Sequence, residues 1–389
     1  MRRGFCWLAI CDSKPCNSFA SPWQESRSFM IKRDDPLTPP NETDQHSPVL
    51  TALEKLGWQP FFADQVVGTE LEETPPVRVV EAHRSGLRVQ GDGIDELVPP
   101  KLAATVGDWV LLNRVLPTSS RVLERKSLFK RRAPGHDRSL QLIAANTDTS
   151  FIVSSCNPDF NLARLERYLA LAFEAGVAPV ILLTKPDLCD DPTPYVEQAE
   201  AISARVPVVL LNAKSDAAKG QLAPWCKPGE TLVFLGSSGV GKSTLVNALF
   251  GKDTAETAEI REDDARGRHT TRHRHMRFLP NGCAVMDTPG MRELQMAEAE
   301  SGIADLFEDL TLLARQCKFR DCKHDSEPGC AINAAIKRGE VSQLRLDRWN
   351  KLAAEERFNT ASLAERKGSD KALQKTIRAA VKRKKKPRR

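Results

Sequence analysis

The chain has 389 residues, more than one ordinary hydrophobic core organises, so two or three domains are expected. Its net charge of +6 is concentrated at one end: seven of the eight residues from Lys382 to Arg389 are basic, which leaves the remainder nearly neutral and excludes a uniformly polycationic protein. Ten cysteines, four of them isolated (Cys156, Cys189, Cys226, Cys283) and three clustered with a histidine, argue against a disulfide framework and for a reducing cytoplasm, while no run approaches the roughly 20 apolar residues of a membrane-spanning helix.

At the start, Arg2-Arg3 followed by Phe5 to Cys11 has the polarity of a secretion signal. Its apolar run is short and lacks a clean small-residue cleavage site, so it reads as an extension, with Met30 as an alternative first residue. Residues 1–75 are rich in Pro, Ser and acidic groups and are expected to be mostly disordered, with one short helical candidate from Val49 to Leu56.

Between residues 76 and 127 short β-rich runs (Val77 to Val80, Leu87 to Val89, Trp109 to Leu112) alternate with Ser85-Gly86, Gly91-Asp92-Gly93 and Gly107-Asp108, which predicts a small β-barrel. An OB-fold suits its length and an oligonucleotide partner; the strand pattern serves an SH3-like barrel equally well. A basic linker, 128–141, carries Lys130-Arg131-Arg132.

From 142 to 299 apolar strands alternate with amphipathic helices. Phe151 to Val153 precedes a helix from Leu162 to Ala175, Val180 to Leu183 precedes one from Tyr195 to Ala204, and Val208 to Leu211, Thr231 to Leu235 and Cys283 to Met286 follow as strands. That alternation predicts an α/β domain with a mainly parallel sheet. A helical, charged module is expected over 300–365 and a basic tail over 366–389.

Gly236-Ser237-Ser238-Gly239-Val240-Gly241-Lys242-Ser243 follows a strand and opens the helix Thr244 to Phe250, the setting that gives a P-loop its meaning. Its glycines let successive N–H groups turn toward phosphate oxygens, and the helix N-terminus adds a positive dipole end. Lys242 is expected on the β- and γ-phosphates and the Ser243 hydroxyl on Mg²⁺. Asp287-Thr288-Pro289-Gly290 ends the strand Cys283 to Met286, placing Asp287 to hold the metal through water and the Gly290 N–H near the γ-phosphate. The polar stretch Gly267-Arg268-His269-Thr270-Thr271 reads as a switch loop in which Thr270 or Thr271 completes the Mg²⁺ shell. For any single residue there, a solvated basic loop is the alternative.

Thr184-Lys185-Pro186-Asp187 closes another strand, where a carboxylate accepts hydrogen bonds from N1 and N2 of guanine; adenine offers no such pair. Lys185 would pack along the base, and Thr184 stands where such motifs usually carry Asn. Asn212-Ala213 sits where a backbone N–H would meet guanine O6. Both segments precede the P-loop, so the order of the GTPase motifs is circularly permuted, a mild change because the site is assembled from strand ends. Downstream, Cys317-x4-Cys322-x-His324-x5-Cys330 supplies three thiolates and an imidazole, a closed tetrahedral set for one structural Zn²⁺.

Order, barrel and Cys/His spacing together resemble the bacterial small ribosomal subunit biogenesis GTPases over roughly Val77 to Leu363. Ala144, Asn146 and Asp148, Asn157-Pro158-Asp159-Phe160-Asn161 and the 267–271 loop share in the likeness. The resemblance implies a GTPase with an OB-fold and a zinc module that acts late in small-subunit assembly, slow alone and stimulated by the subunit. Met291 follows Gly290 where many GTPases carry a water-orienting Gln; a thioether cannot align water, so His269 or an rRNA-ordered loop is expected to do so. Barrel, linker, Arg-rich loop and tail would contact rRNA. The expected protein is a monomer that binds GTP and GDP and no membrane, with nucleotide hydrolysis moving residues from about Leu306 onward. An RNA-binding scaffold with little turnover and a metabolic P-loop NTPase are the competing readings.

Overall fold

A computed structural model describes residues 51–83, 85–99, 102–132, 140–251, 274–287 and 298–360. Three short helices come first, α1 (Ala52–Lys55), α2 (Pro60–Ala63) and α3 (Gly68–Glu73). Thr51 and Glu54 form a reciprocal capping box at α1, satisfying donors that the first turn leaves open. Residues 51–75, expected within a largely disordered extension, are therefore folded. Leu53, Leu56, Trp58 and Phe62 share no simple period, yet all join one cluster with Trp109, Leu111 and Leu123, with Trp58 edge-on to the Trp109 indole at 4.7 Å.

Five strands follow: β1 (Pro76–Ala82), β2 (Leu87–Gly91), β3 (Ile94–Val98), β4 (Trp109–Leu111) and β5 (Arg121–Val122). They pair in the order β3-β2-β1-β4-β5, the adjacency of a five-stranded OB barrel, with no ladder joining β3 to β5 among the described residues. Val77, Val79, Val89, Val110 and Leu112 form the barrel's own core. The expected linker 128–141 is in part a ladder: β6 (Leu128–Arg132) runs antiparallel to β7 (Leu140–Ala145). Phe129 and Arg131 alternate inward there, so the basic run has a strand's period rather than a linker's freedom.

The α/β domain contains β8 (Thr149–Ser155), α4 (Leu162–Glu174), β9 (Ala178–Thr184), α5 (Thr193–Glu200), β10 (Val208–Leu210), α6 (Ala217–Leu222), β11 (Thr231–Gly236), α7 (Lys242–Phe250), β12 (Arg274–Phe278) and β13 (Ala284–Asp287). Its sheet order is β10-β9-β8-β11-β13-β12, parallel except for β12. Buried apolar runs in β8, β9 and β11 are what a sheet covered on both faces requires. β12 also pairs with β1 through Glu81↔His275 and Ala82↔Arg274, making barrel and domain one continuous sheet of eleven strands.

Arg78 fastens that junction. Fully buried on β1, it donates to the carbonyls of Leu56, Gly107 (3.4 Å) and Asn146 (3.2 Å) and to the Thr231 hydroxyl (2.8 Å). Burial lowers its pKa to about 10, against the opposing pull of Asp148 and Asp108.

The C-terminal helices are α8 (Glu300–Leu306), α9 (Glu308–Ala314), α10 (Ala331–Lys337) and α11 (Gln343–Thr360). Leu306, Phe307, Leu310, Ile332, Leu346 and Leu352 belong to the same core as Leu165, Leu169 and Ile181 of the α/β domain. Gly302 presses against α4 so closely that a Cβ there would stand 2.0 Å from the Ala170 carbonyl oxygen. In this state the segment after Leu306 is packed into the domain, so any nucleotide-dependent movement of it must engage α4.

Candidate functional site

Parallel strands present their C-terminal ends at one edge, and β9, β10, β11 and β13 bring Thr184, Asn212, Gly236 and Asp287 there. Gly236 ends β11 with φ +141°, and a Cβ on it would meet the Val153 carbonyl oxygen at 2.4 Å, so the loop's first position admits only glycine. Gly239 and Gly241 are left-handed, with φ of 77° and 97°, and α7 opens at Lys242. The Lys242 ammonium donates to the carbonyls of Gly236 (2.8 Å) and Ser237. Ser243 is exposed at the helix's second position, and Ser238, Gly239, Val240 and Thr244 complete the arc.

The Thr184 hydroxyl, fully buried, lies 2.7 Å from the Val240 carbonyl oxygen and 3.1 Å from that of Ser154. A residue that departs from the usual Asn thus ties the β9 loop directly to the phosphate loop. Lys185 follows in a left-handed conformation (φ 59°), which turns Pro186 and Asp187 into a 3-10 turn with Asp187 exposed. Asn212 accepts from the Lys214 N–H at 2.9 Å and Ala213 is buried, fixing the β10 loop alongside. Asp287 terminates β13 in backbone register with His275. His269, Thr270, Thr271, Gly290 and Met291 lie outside the described residues.

Cys317, Cys322, His324 and Cys330 converge, their ligand atoms all within 4.8 Å of one another, and form a cluster that can hold a metal ion. His324 Nδ1 stands 3.6 Å from Cys317 Sγ and 3.5 Å from Cys330 Sγ, and the two sulfurs are 3.9 Å apart. Partial burial lowers the His324 pKa, with Glu327 opposing, which favours the neutral imidazole a metal needs. Glu327 organises the loop by accepting from the backbone N–H groups of Lys323 (3.0 Å), Asp325 (3.0 Å) and Ser326 (3.2 Å). The Cys330 sulfur accepts from the Asn333 N–H at 3.4 Å and so caps α10, joining the cluster to a helix.

Two contacts had no place in the motif reading. Trp349 of α11 stacks on the His324 ring at 5.6 Å, and Arg164 of α4 donates to the Ser237 hydroxyl at 2.7 Å. Arg164 stands three residues after Asn161, whose side chain caps α4, so its place on the first turn was available from the Asn-Leu-Ala-Arg run; its target on a distant loop was not.

The profile of the RsgA GTPase family matches residues 122–297. The small ribosomal subunit biogenesis GTPase RsgA 2 of Vibrio parahaemolyticus is 46% identical over 329 residues, covering 84% of this chain and 92% of its own. RsgA of Mesorhizobium japonicum is 48% identical over 317 residues, covering 79% and 91%. Among solved structures, YjeQ from Thermotoga maritima superposes with a TM-score of 0.53 at 26% identity, over 72% of this chain and 97% of that one. YloQ, described as a circularly permuted GTPase, gives 0.51 over 76% and 100%, and at 22% identity speaks to the fold alone.

Proposed function

The chain belongs to the RsgA GTPase family, and from that premise we propose that it hydrolyses GTP in the service of small ribosomal subunit maturation. The observation that carries the reading is the Thr184 hydroxyl on the Val240 carbonyl, because it joins a guanine-selecting loop to a phosphate-binding loop across the permuted chain order.

In this reading the backbone of Gly236 to Gly241 cradles the β- and γ-phosphates, and Lys242 exchanges its loop carbonyls for phosphate oxygens. Asp187 reads the guanine edge, Lys185 lies along the ring, and the Ala213 N–H faces O6. Ser243 and Asp287, with Thr270 or Thr271, would hold Mg²⁺, which when bound neutralises charge developing on the β–γ bridge. The chain's own contribution is positioning, since phosphoryl transfer asks the protein mainly for alignment and preorganised donors. Alignment of the attacking water is assigned to His269 or to a loop ordered by RNA.

Zinc fits the Cys/His cluster: tetrahedral bonds of about 2.3 Å to sulfur and about 2.05 Å to nitrogen give edges of about 3.8 Å between sulfurs and about 3.6 Å from sulfur to nitrogen. The separations of 3.9, 3.6 and 3.5 Å support that metal. It would supply structure, with four protein ligands. Partners in this reading are the small subunit and its rRNA, the protein acts as a monomer in the cytoplasm, and among the described residues no helix is long and apolar enough to cross a membrane.

The test is GTP hydrolysis with and without purified small subunits, run beside ATP and beside Lys242→Ala. Slow GTP-selective turnover, raised by the subunit and abolished by the substitution, is expected. Equal ATP hydrolysis would favour a metabolic NTPase, and tight subunit binding without turnover a scaffold.

A further inference from the structure

Helix α4 touches three parts of the molecule at once. At its first turn the Arg164 guanidinium donates to Ser237 Oγ at 2.7 Å. Ser237 is the same residue whose carbonyl accepts from the Lys242 ammonium, so the two cations hold the side chain and the backbone of one P-loop residue. Arg164 has no carboxylate partner among the described residues, whereas Arg167 on the same helix and Arg348 of α11 are paired with Glu355 and Glu166. It lines a shallow cleft with Asn161, Tyr168 and Val240, beside the phosphate loop.

Along the rest of its length α4 is clamped by the C-terminal helices. Arg348 of α11 stands 3.1 Å from the fully buried carboxylate of Glu166, and Glu355 of α11 lies 2.5 Å from Arg167. At the far end Glu174 accepts from the Ser301 hydroxyl (2.6 Å) and the Gly302 N–H (3.0 Å) of α8. A 13-residue helix is a bar of about 20 Å, stiff because its backbone bonds are internal. Whatever sets the seating of α8 and α11 on α4 therefore sets where Arg164 stands.

We propose that Arg164 is a positioning residue for GTP hydrolysis, holding the P-loop through Ser237, and that α4 conveys the docking of the C-terminal helices to it. The inference rests on the GTPase reading above. A loosened Ser237 lets the start of the loop drift against the phosphates, and the transition state is less tolerant of that than bound GDP, whose affinity is spread over the rest of the backbone cradle and the guanine loop. The chain thus has a route from its metal-bearing segment to its phosphate site that does not pass through the switch loops.

The experiment is single-turnover GTP hydrolysis by the full zinc-loaded chain, with GDP affinity from a fluorescent GDP analogue and a melting temperature for each variant. Arg164→Ala is expected to slow hydrolysis about tenfold, the scale of one charge-assisted hydrogen bond, while GDP affinity stays within about twofold. Ser237→Ala should match it, the double variant should be no slower than the slower single, and Arg164→Lys should recover a large part of the rate. Glu355→Gln, remote from the phosphates, should slow hydrolysis by about twofold to threefold through the same route.

Arg164→Ala at the wild-type rate, or effects of Arg164→Ala and Ser237→Ala that multiply, would overturn the positioning role. Unchanged hydrolysis in Glu355→Gln would overturn the transmission through α4. Equal losses of rate, GDP affinity and melting temperature in Arg164→Ala would mark a merely structural residue and overturn it too. A wild-type chain that hydrolyses no GTP would instead refute the GTPase reading, so the two failures are told apart.

Discussion

Replacing Arg78 by Met tests how the barrel is held to the nucleotide domain. Methionine keeps most of the apolar stem but removes a guanidinium that donates to Leu56, Gly107, Asn146 and Thr231. Of these acceptors Gly107 keeps a second donor, the Asn146 side chain at 3.0 Å, while the Leu56 and Asn146 carbonyls lose the donor that Arg78 supplied. Asp108, fully buried, also loses a nearby positive charge, although Arg125 still pairs with it at 2.7 Å. Removing one member of such a buried network costs about 3–5 kcal/mol. For a folded unit of this size that corresponds to a fall in melting temperature of roughly 5–10 °C. Differential scanning calorimetry would measure it, and limited proteolysis should open the chain near α1. Arg78→Lys, which restores the charge but not the fork, should fall between. A melting temperature for Arg78→Met within about one degree of wild type would refute the fastening role.

Thr184→Val keeps shape and removes the hydroxyl, so the β9 loop loses its tie to Val240; GTP affinity should weaken by about tenfold in equilibrium titration, with ATP still excluded. Cys330→Ser removes one thiolate ligand while leaving a hydroxyl able to cap α10: metal analysis should find less than one metal ion per chain, and Trp349 fluorescence should respond because that indole stacks on His324. Burial tends to raise the Asp309 carboxyl, but the Arg345 fork outweighs it and holds the pKa below its ordinary 3.8. The unfolded chain then binds more protons, so this pair stabilises the fold above that pH and the benefit disappears as pH falls through the lowered value. Asp309→Asn should be less stable by about 0.5–1 kcal/mol at pH 7, allowing for solvent screening of a part-exposed pair, and the gap should close in acid denaturation below pH 3.8.

Linear motifs make up most of the candidate site because their chemistry is local. The phosphate loop needs its glycines, lysine and helix within eight residues, and Cys317 to Cys330 span one loop, so both were legible without knowing the fold. Contacts between distant segments were not. Arg78 sits in the run Val77-Arg78-Val79-Val80, where a period of two would send it to solvent, and only the closure of Leu56, Asn146 and Thr231 around it explains its burial. Residues 51–75 read as part of a mostly disordered extension from their Pro, Ser and acidic content, apart from the helical candidate Val49 to Leu56; their apolar side chains instead pack on the cluster of Phe62, Trp109, Leu111 and Leu123. The basic run Lys130 to Arg132 suggested a linker by composition, yet pairing with β7 gives it an inward and an outward face. Arg164 was placed on a helix by its own segment, but its acceptor lies 73 residues away, a separation no pattern encodes.

The strand order β10-β9-β8-β11-β13-β12 also has a consequence for synthesis. Within this domain a growing chain delivers β8, α4, β9, α5 and β10 first, neighbours in sequence and in space, so this half can assemble from local contacts. Of its two edges β10 remains an edge of the finished sheet, whereas β8, a central strand there, stays bare until β11 arrives. The phosphate loop is then built onto a preformed wall, since Gly236 seats beside Val153 and Val240 receives the Thr184 hydroxyl already waiting. Next comes β12, whose pairing with β1 reaches back nearly two hundred residues, and last β13, which fills the place between β11 and β12. The permutation thereby leaves the Gly236 to Ser243 loop to a later stage of synthesis than the β9 and β10 loops, and a nascent fragment that stops before β11 lacks that loop altogether.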